Sequence, residues 1–228
     1  MPLARSLAAL TLFGVSFGYV EAAVVVYLRA VYAPVREQVL AGTAHDEIFP
    51  LIVTERHRAE LAPYEHVIVT ELGRELATLV MLAAVGLVLG GGLRRWFAGF
   101  MIAFGVWDIF YYVFLKLLLG WPASLWTWDI LFLLPLPWVG PVLAPCLVAA
   151  SMIAAGVVIL WREERGRPIR FRGFHWAAIL AGGLTIIVAF CWDWRHILAG
   201  GTPESFQWPL FLAGEALGLT GFAAAVEA

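Results

Sequence analysis

Long apolar runs separated by short polar interruptions make up most of this chain. Runs of spanning length occur at Leu7 to Leu28, Ile68 to Leu89, Trp96 to Leu119, Trp138 to Trp161, Phe174 to Trp192 and Phe206 to Val226. Each is near the roughly 20 residues that a bilayer-crossing helix requires. The pattern predicts an all-α, polytopic membrane bundle of about six helices, forming a single transmembrane domain over residues 1–228. From Trp96 to Trp161 only Asp108, Lys116 and Asp129 are charged, a sparseness that suits a membrane interior. The first run follows Arg5 and contains Glu21-Ala22-Ala23, in the manner of a cleavable leader. Apolar residues resume from Val24 to Leu28, so it is read as the first span.

Arginines give the runs a direction. Arg94 and Arg95 follow the second run, and Arg162, Arg165, Arg167, Arg170 and Arg172 follow the fourth. Basic loops stay on the cytoplasmic side, which places both termini there too, in the inner membrane of a bacterium. The loops 30–67, 120–137 and 193–205 then face outward. Trp121, Trp126, Trp128, Trp138, Trp192, Trp194 and Trp208 gather at that outer boundary, and Trp96, Trp161 and Trp176 at the inner one, as interfacial tryptophans do. The outer loop 30–67 mixes charged residues with the apolar stretch Ile48 to Val53, which predicts short amphipathic helices.

The stretch before the fourth span is irregular. Ser124 to Trp161 is too long for one helix, and Pro135, Pro137, Pro141 and Pro145 interrupt any continuous hydrogen-bond ladder. A short re-entrant or interfacial helix over about Ser124 to Leu134, within 120–137, followed by a full span from Trp138, keeps the arginines on one side. Gly14, Gly18 and Ala22 form a small-residue stripe suited to close helix packing.

Composition agrees with the runs: 62% of residues are hydrophobic and only 14% charged, against about 25% charged in soluble domains. A net charge of −2 without a basic stripe excludes a nucleic-acid partner. Membrane lipid, and other membrane subunits, are the partners this composition suits. Cys146 and Cys191 lack metal or redox spacing and read as small buried hydrophobes.

Candidate chemistry lies in the charges placed inside the spans. Glu21 and Arg29 share a face of the first; Glu71, Arg74 and Glu75 share a face of the second; Asp108, Tyr111, Tyr112 and Lys116 share a face of the third. Asp129 on the broken segment, and Asp193 and His196 beyond the fifth span, lie toward the same outer side. Each ionised group near the bilayer centre costs about 2.5–3.5 kcal/mol to insert. The acids Glu21, Glu71, Glu75, Asp108, Asp129 and Glu215 outnumber the bases Arg29, Arg74 and Lys116. The expectation is one outward-facing pocket in which the surplus carboxylates hold a proton or a cation. Glu71, Asp108, Arg74, Tyr111 and Tyr112 are its expected catalytic groups. Glu21, Glu71, Glu75, Asp108, Asp129, His66 and His196 are expected ligands for a divalent metal such as Mg²⁺, Mn²⁺ or iron. The alternative is plain scaffolding, with Glu71 or Glu75 paired to Arg29 and Asp108 to Arg74.

Three function classes remain open on these residues. The first is a metal-dependent or acid–base enzyme acting on a lipid-soluble substrate. The second is a cation or proton transporter, and the third a non-catalytic subunit of a membrane complex. The Glu-x-x-His pairs of di-iron bundles and the His-Glu-x-x-His of zinc proteases are both missing. The inner half of the second span, Leu79 to Leu89, is wholly apolar and offers no polar route across the membrane.

Overall fold

The computed structural model describes residues 2–39, 62–199 and 204–228. In chain order these form α1 (Leu3–Val39), a 3-10 turn (Ala62–Tyr64), α2 (Glu65–Val88), α3 (Leu93–Leu119), β1 (Trp128–Phe132) and β2 (Trp138–Pro141). Then come α4 (Leu143–Glu164), α5 (Gly173–Phe190), the short α6 (Trp194–Leu198) and α7 (Trp208–Glu227). The predicted all-α bundle is what the chain forms. Among the described residues five helices, all but α2 and α6, are long and apolar enough to cross a membrane. α2 has the length at 24 residues, but Glu71, Arg74 and Glu75 interrupt its apolar run.

α3 is the central helix, packed against α1, α2 and α4, while α5 and α7 pair with each other. Between lipid-exposed helices no hydrophobic effect drives association, so contact depends on close backbone approach at small residues. The stripe on α1 does this. A side chain at Gly14 would meet Val106 at 2.8 Å, one at Gly18 would meet the Trp107 carbonyl at 3.0 Å, and Ala22 is fully buried. Gly105 rests on the Ala149 carbonyl of α4 and Gly156 on that of Ala98, each leaving under 3 Å for a Cβ. Gly182 and Gly214 bring α5 and α7 equally close.

These contacts also fix direction. Successive α1 positions meet successive α3 positions, so α1 and α3 run parallel, and α2 returns the chain antiparallel between them. The return into α3 is made by Gly90, Gly91 and Gly92, all at positive φ where side chains are strained. The Leu3 amide donates to Glu164, Arg94 bonds the Ile169 carbonyl and pairs with Glu163, and Arg162 bonds the Val226 carbonyl. Both ends of the described chain and both arginine clusters therefore lie at one end of the bundle.

Two expectations about the other end need correction. The first helix does not stop at Leu28 but continues through Val39, so the start of the predicted outer loop is helical. Most of that loop's predicted amphipathic helices fall on 40–61, outside the described residues. The predicted short helix over Ser124 to Leu134 is instead an antiparallel hairpin, pairing Trp128 with Pro141, Asp129 with Gly140, Ile130 with Val139 and Phe132 with Trp138. Trp138 thus belongs to a strand, and the fourth helix starts at Leu143. Pro135 and Pro137 cannot donate to a helical ladder, and the β-branched and aromatic residues around them suit a pleated surface.

The Gly105–Ala149 and Gly156–Ala98 contacts set α4 antiparallel to α3 with its first residue opposite Tyr111. The last stretch of α3, about 12 Å long, consequently has no α4 beside it. Ala22, Trp121 and Val142 pack on that end at Tyr112 and Leu115, and the hairpin reaches it through the Tyr112–Asp129 hydrogen bond. Phe132 packs on Trp107 at 6.4 Å, Trp138 stacks on Phe190 at 6.2 Å, and Ile130 and Val139 cluster with Ile197. A lone hairpin is marginal in water; this one is held by helices on its flanks.

Candidate functional site

Helix geometry alone brings the intramembrane charges to one level. At 1.5 Å per residue, Glu21 stands about 27 Å along α1, Asp108 about 22 Å along α3, and Glu75 and Glu71 about 20 and 25 Å from the matching end of α2. All four line one cavity of about 40 Å³, together with Arg74, Thr78, Trp107, Tyr111, Tyr112 and the hairpin segment Ile130 to Leu133. That volume accommodates roughly three waters. The expected convergence of Glu21, Glu71, Glu75 and Asp108 is present, and Asp129 adjoins it through Tyr112.

Arg74 joins two helices, as the scaffolding alternative expects, but with Glu21 and Glu71 as its partners. Arg74 bonds Glu21 through Nη1 and Glu71 through Nη2, and its Nε donates to Glu71 Oε1 at 2.8 Å. One guanidinium therefore bridges α1 and α2, with the Thr78 hydroxyl 3.4 Å from both Arg74 Nη1 and Glu21 Oε2. Planar, forked donors suit Arg to this double role. Glu75 turns to the hairpin and accepts the Leu133 N–H at 3.0 and 3.1 Å. It thereby satisfies a backbone donor just beyond β1, which a lipid environment would otherwise leave unpaired.

Asp129 accepts a 2.8 Å hydrogen bond from the Tyr112 hydroxyl. Arg29 lies over the Trp121 ring at 5.2 Å and within electrostatic reach of Asp129 and Tyr111. Lys116 bends away to cap its own helix, donating to the Gly120 and Pro122 carbonyls at 3.1 and 2.8 Å. Arg74 pairs with Glu21 and Glu71 rather than with Asp108. Asp108 is buried, and its Oδ2 has no hydrogen-bond partner among the described residues.

The metal expectation needs correction. Among the described residues no three His, Cys, Asp or Glu side chains are grouped so as to hold a metal ion. The reason is Arg74, whose guanidinium fills the space between Glu21 and Glu71, while Glu75 is committed to the hairpin and Asp129 to Tyr112. His66, in the first turn of α2, is exposed, and its carbonyl accepts the Thr70 hydroxyl. His196 lies on α6. Neither histidine lines the cavity.

No family model, curated protein or solved structure matches this chain. What the arrangement does must be read from its own groups. Two members were not singled out in the sequence: Thr78, which continues the Glu71, Arg74, Glu75 face at i+7, and the Leu133 amide. Periodicity could have found the first. Nothing local signals the second.

Proposed function

We propose that this is a multi-pass protein of a bacterial inner membrane, with both termini and both arginine clusters cytoplasmic. Its pocket in the outer half of the membrane performs acid–base chemistry on the polar end of a lipid-soluble substrate. The observation that carries this reading is Asp108, a buried carboxyl whose Oδ2 has no partner among the described residues, on the wall of a cavity shared with Arg74, Glu71 and two tyrosines. A buried acid without a donor is costly unless a proton or an incoming group supplies one. In this reading Asp108 exchanges a proton with the substrate, Arg74 orients its polar group, and Tyr111 and Tyr112 relay hydrogen bonds. The surplus carboxyls remain neutral by holding protons.

α1 and α2 both lean on α3 and meet through side chains, Arg74 with Glu21 in the middle and the cluster of Leu28 and Tyr32 with Tyr64 and Val67 toward the hairpin end. Transport is the weaker reading, because Leu10, Leu82, Ile102 and Ala103, all buried, pack the bundle between the cavity and the arginine end.

The test is lipid analysis of the encoding host with the gene deleted and then restored. Restoring the wild-type chain, but not Asp108→Asn at equal membrane abundance, should reverse a specific change in a lipid-soluble species. Full reversal by Asp108→Asn, or no lipid change on deletion, would overturn the reading.

A further inference from the structure

A second cavity, separate from the Asp108 site, opens where the α5–α7 pair meets α3 and α4. It measures about 220 Å³, and its walls are apolar except for Ser151 and Glu215. Glu215 stands about 10 Å along α7 from Trp208, deep within the hydrocarbon if α7 spans the membrane. Its Oε1 is buried without a hydrogen-bond partner among the described residues, and Ser151 is the hydrogen-bonding neighbour of the carboxyl. Gly183 and Gly218 line the same space, and a Cβ built on either would meet nothing within 4 Å. Gly182 and Gly214 are needed for the close approach of α5 and α7, in which the Gly218 backbone also takes part, but the missing side chains of Gly183 and Gly218 face open space. Their lack of side chains keeps the cavity open.

From these features we infer that the cavity binds a lipid-soluble alkylated phenol. Glu215 Oε1 requires a donor, and a hydroxyl is the simplest donor on an otherwise apolar molecule. The depth excludes a phospholipid headgroup, which stays at the interface, so the donor must be carried by a molecule that dissolves whole in the membrane. The volume is below the 300–1,000 Å³ of sites for larger ligands and suits one substituted ring. Phe97, Phe222, Met101 and Met152 supply flat and polarisable walls for such a ring. The hydroxyl donates to Glu215 beside Ser151, the ring lies over Gly183 and Gly218, and the alkyl chain leaves toward lipid.

Binding of tritiated 4-nonylphenol to the full chain in lipid nanodiscs, corrected for uptake by empty discs, tests this. One saturable site is expected, for which 4-nonylanisole, lacking the donor, competes about tenfold more weakly, the size of one hydrogen bond to a carboxyl. Gly183→Leu and Gly218→Val place side chains in open space and should abolish saturable binding while the protein remains folded. Glu215→Leu should abolish the preference for phenol over anisole. The inference is overturned by absent saturable binding, by equal competition from the two probes, or by retention in both glycine variants. A stoichiometric membrane protein that co-purifies and blocks the phenol also overturns it, since the groove would then hold a partner helix. None of these outcomes depends on Asp108, so they leave the acid–base reading to its own test.

Discussion

The Tyr112 hydroxyl donates to Asp129 Oδ2 at 2.8 Å, and this contact fastens the tip-bearing hairpin to the central helix where α4 has not yet begun. Both residues are buried. Tyr112→Phe should therefore leave a buried carboxylate oxygen without its donor, at a cost of about 1–3 kcal/mol. Denaturant unfolding in mixed micelles measures it. In the double variant Tyr112→Phe/Asp129→Leu the cost should fall well below the sum of the single changes, because both ends of the bond are removed. Strict additivity would show that the bond contributes nothing.

Arg74 carries the balance between α1 and α2. Arg74→Gln leaves Glu21 and Glu71 facing each other without a cation, and should destabilise the protein by about 3–5 kcal/mol. Adding Glu21→Gln and Glu71→Gln should recover much of that loss, because the remaining amides need no counter-charge. Arg74→Lys should fall between, since a point charge cannot bridge two carboxylates as a fork does. Unfolding midpoints of the four proteins decide the order.

Helix contact at glycine predicts a sharp contrast between two positions. Gly105→Leu drives a side chain into the Ala149 carbonyl, 2.5 Å from the nearest Cβ position, and should prevent α3 and α4 from closing. Gly73→Ala meets nothing within 4 Å and should be neutral or stabilising by roughly 0.5–1 kcal/mol through reduced backbone freedom. Yield of monodisperse protein after detergent extraction separates them.

Sidedness is tested by cysteine labelling from outside intact spheroplasts, in a background lacking Cys146 and Cys191. Ser124→Cys, exposed beside the hairpin, should react with a membrane-impermeant maleimide, whereas Arg167→Cys should react only after permeabilisation. The reverse pattern would invert the topology and move the Asp108 cavity to the inner half of the membrane.

Glu75 tests whether the hairpin shapes the cavity. Glu75→Leu removes the acceptor of the Leu133 N–H and should raise protease sensitivity around 128–141 without unfolding α2, α3 or α4. Limited proteolysis in micelles followed by fragment mass measurement reports it.

The long helices and the level of the charges were legible in the chain before any fold was known. Apolar runs near 20 residues have few alternatives in a membrane, and the cost of an intramembrane charge makes Glu21, Glu71, Glu75 and Asp108 conspicuous. Helical periodicity then places Glu71, Arg74 and Glu75 on one face before any fold is known. Tertiary structure alone decided how they pair. Whether Arg74 meets Asp108 or Glu21 depends on how far each helix is rotated and slid, which is set by Gly14 and Gly18 of α1 and Gly86 of α2 against α3. The hairpin was likewise hidden, because a short apolar run such as Trp128 to Phe132 reads equally as helix or strand when nothing local shows what will lie beside it. Its conformation is settled by the side chains of α5, α6 and α7 that pack on its flanks, and by Glu75 and Tyr112 reaching in from other helices to satisfy its polar groups. Long-range placement chose those partners, and so set Arg74 between Glu21 and Glu71 and gave Glu75 and Asp129 to the hairpin contacts.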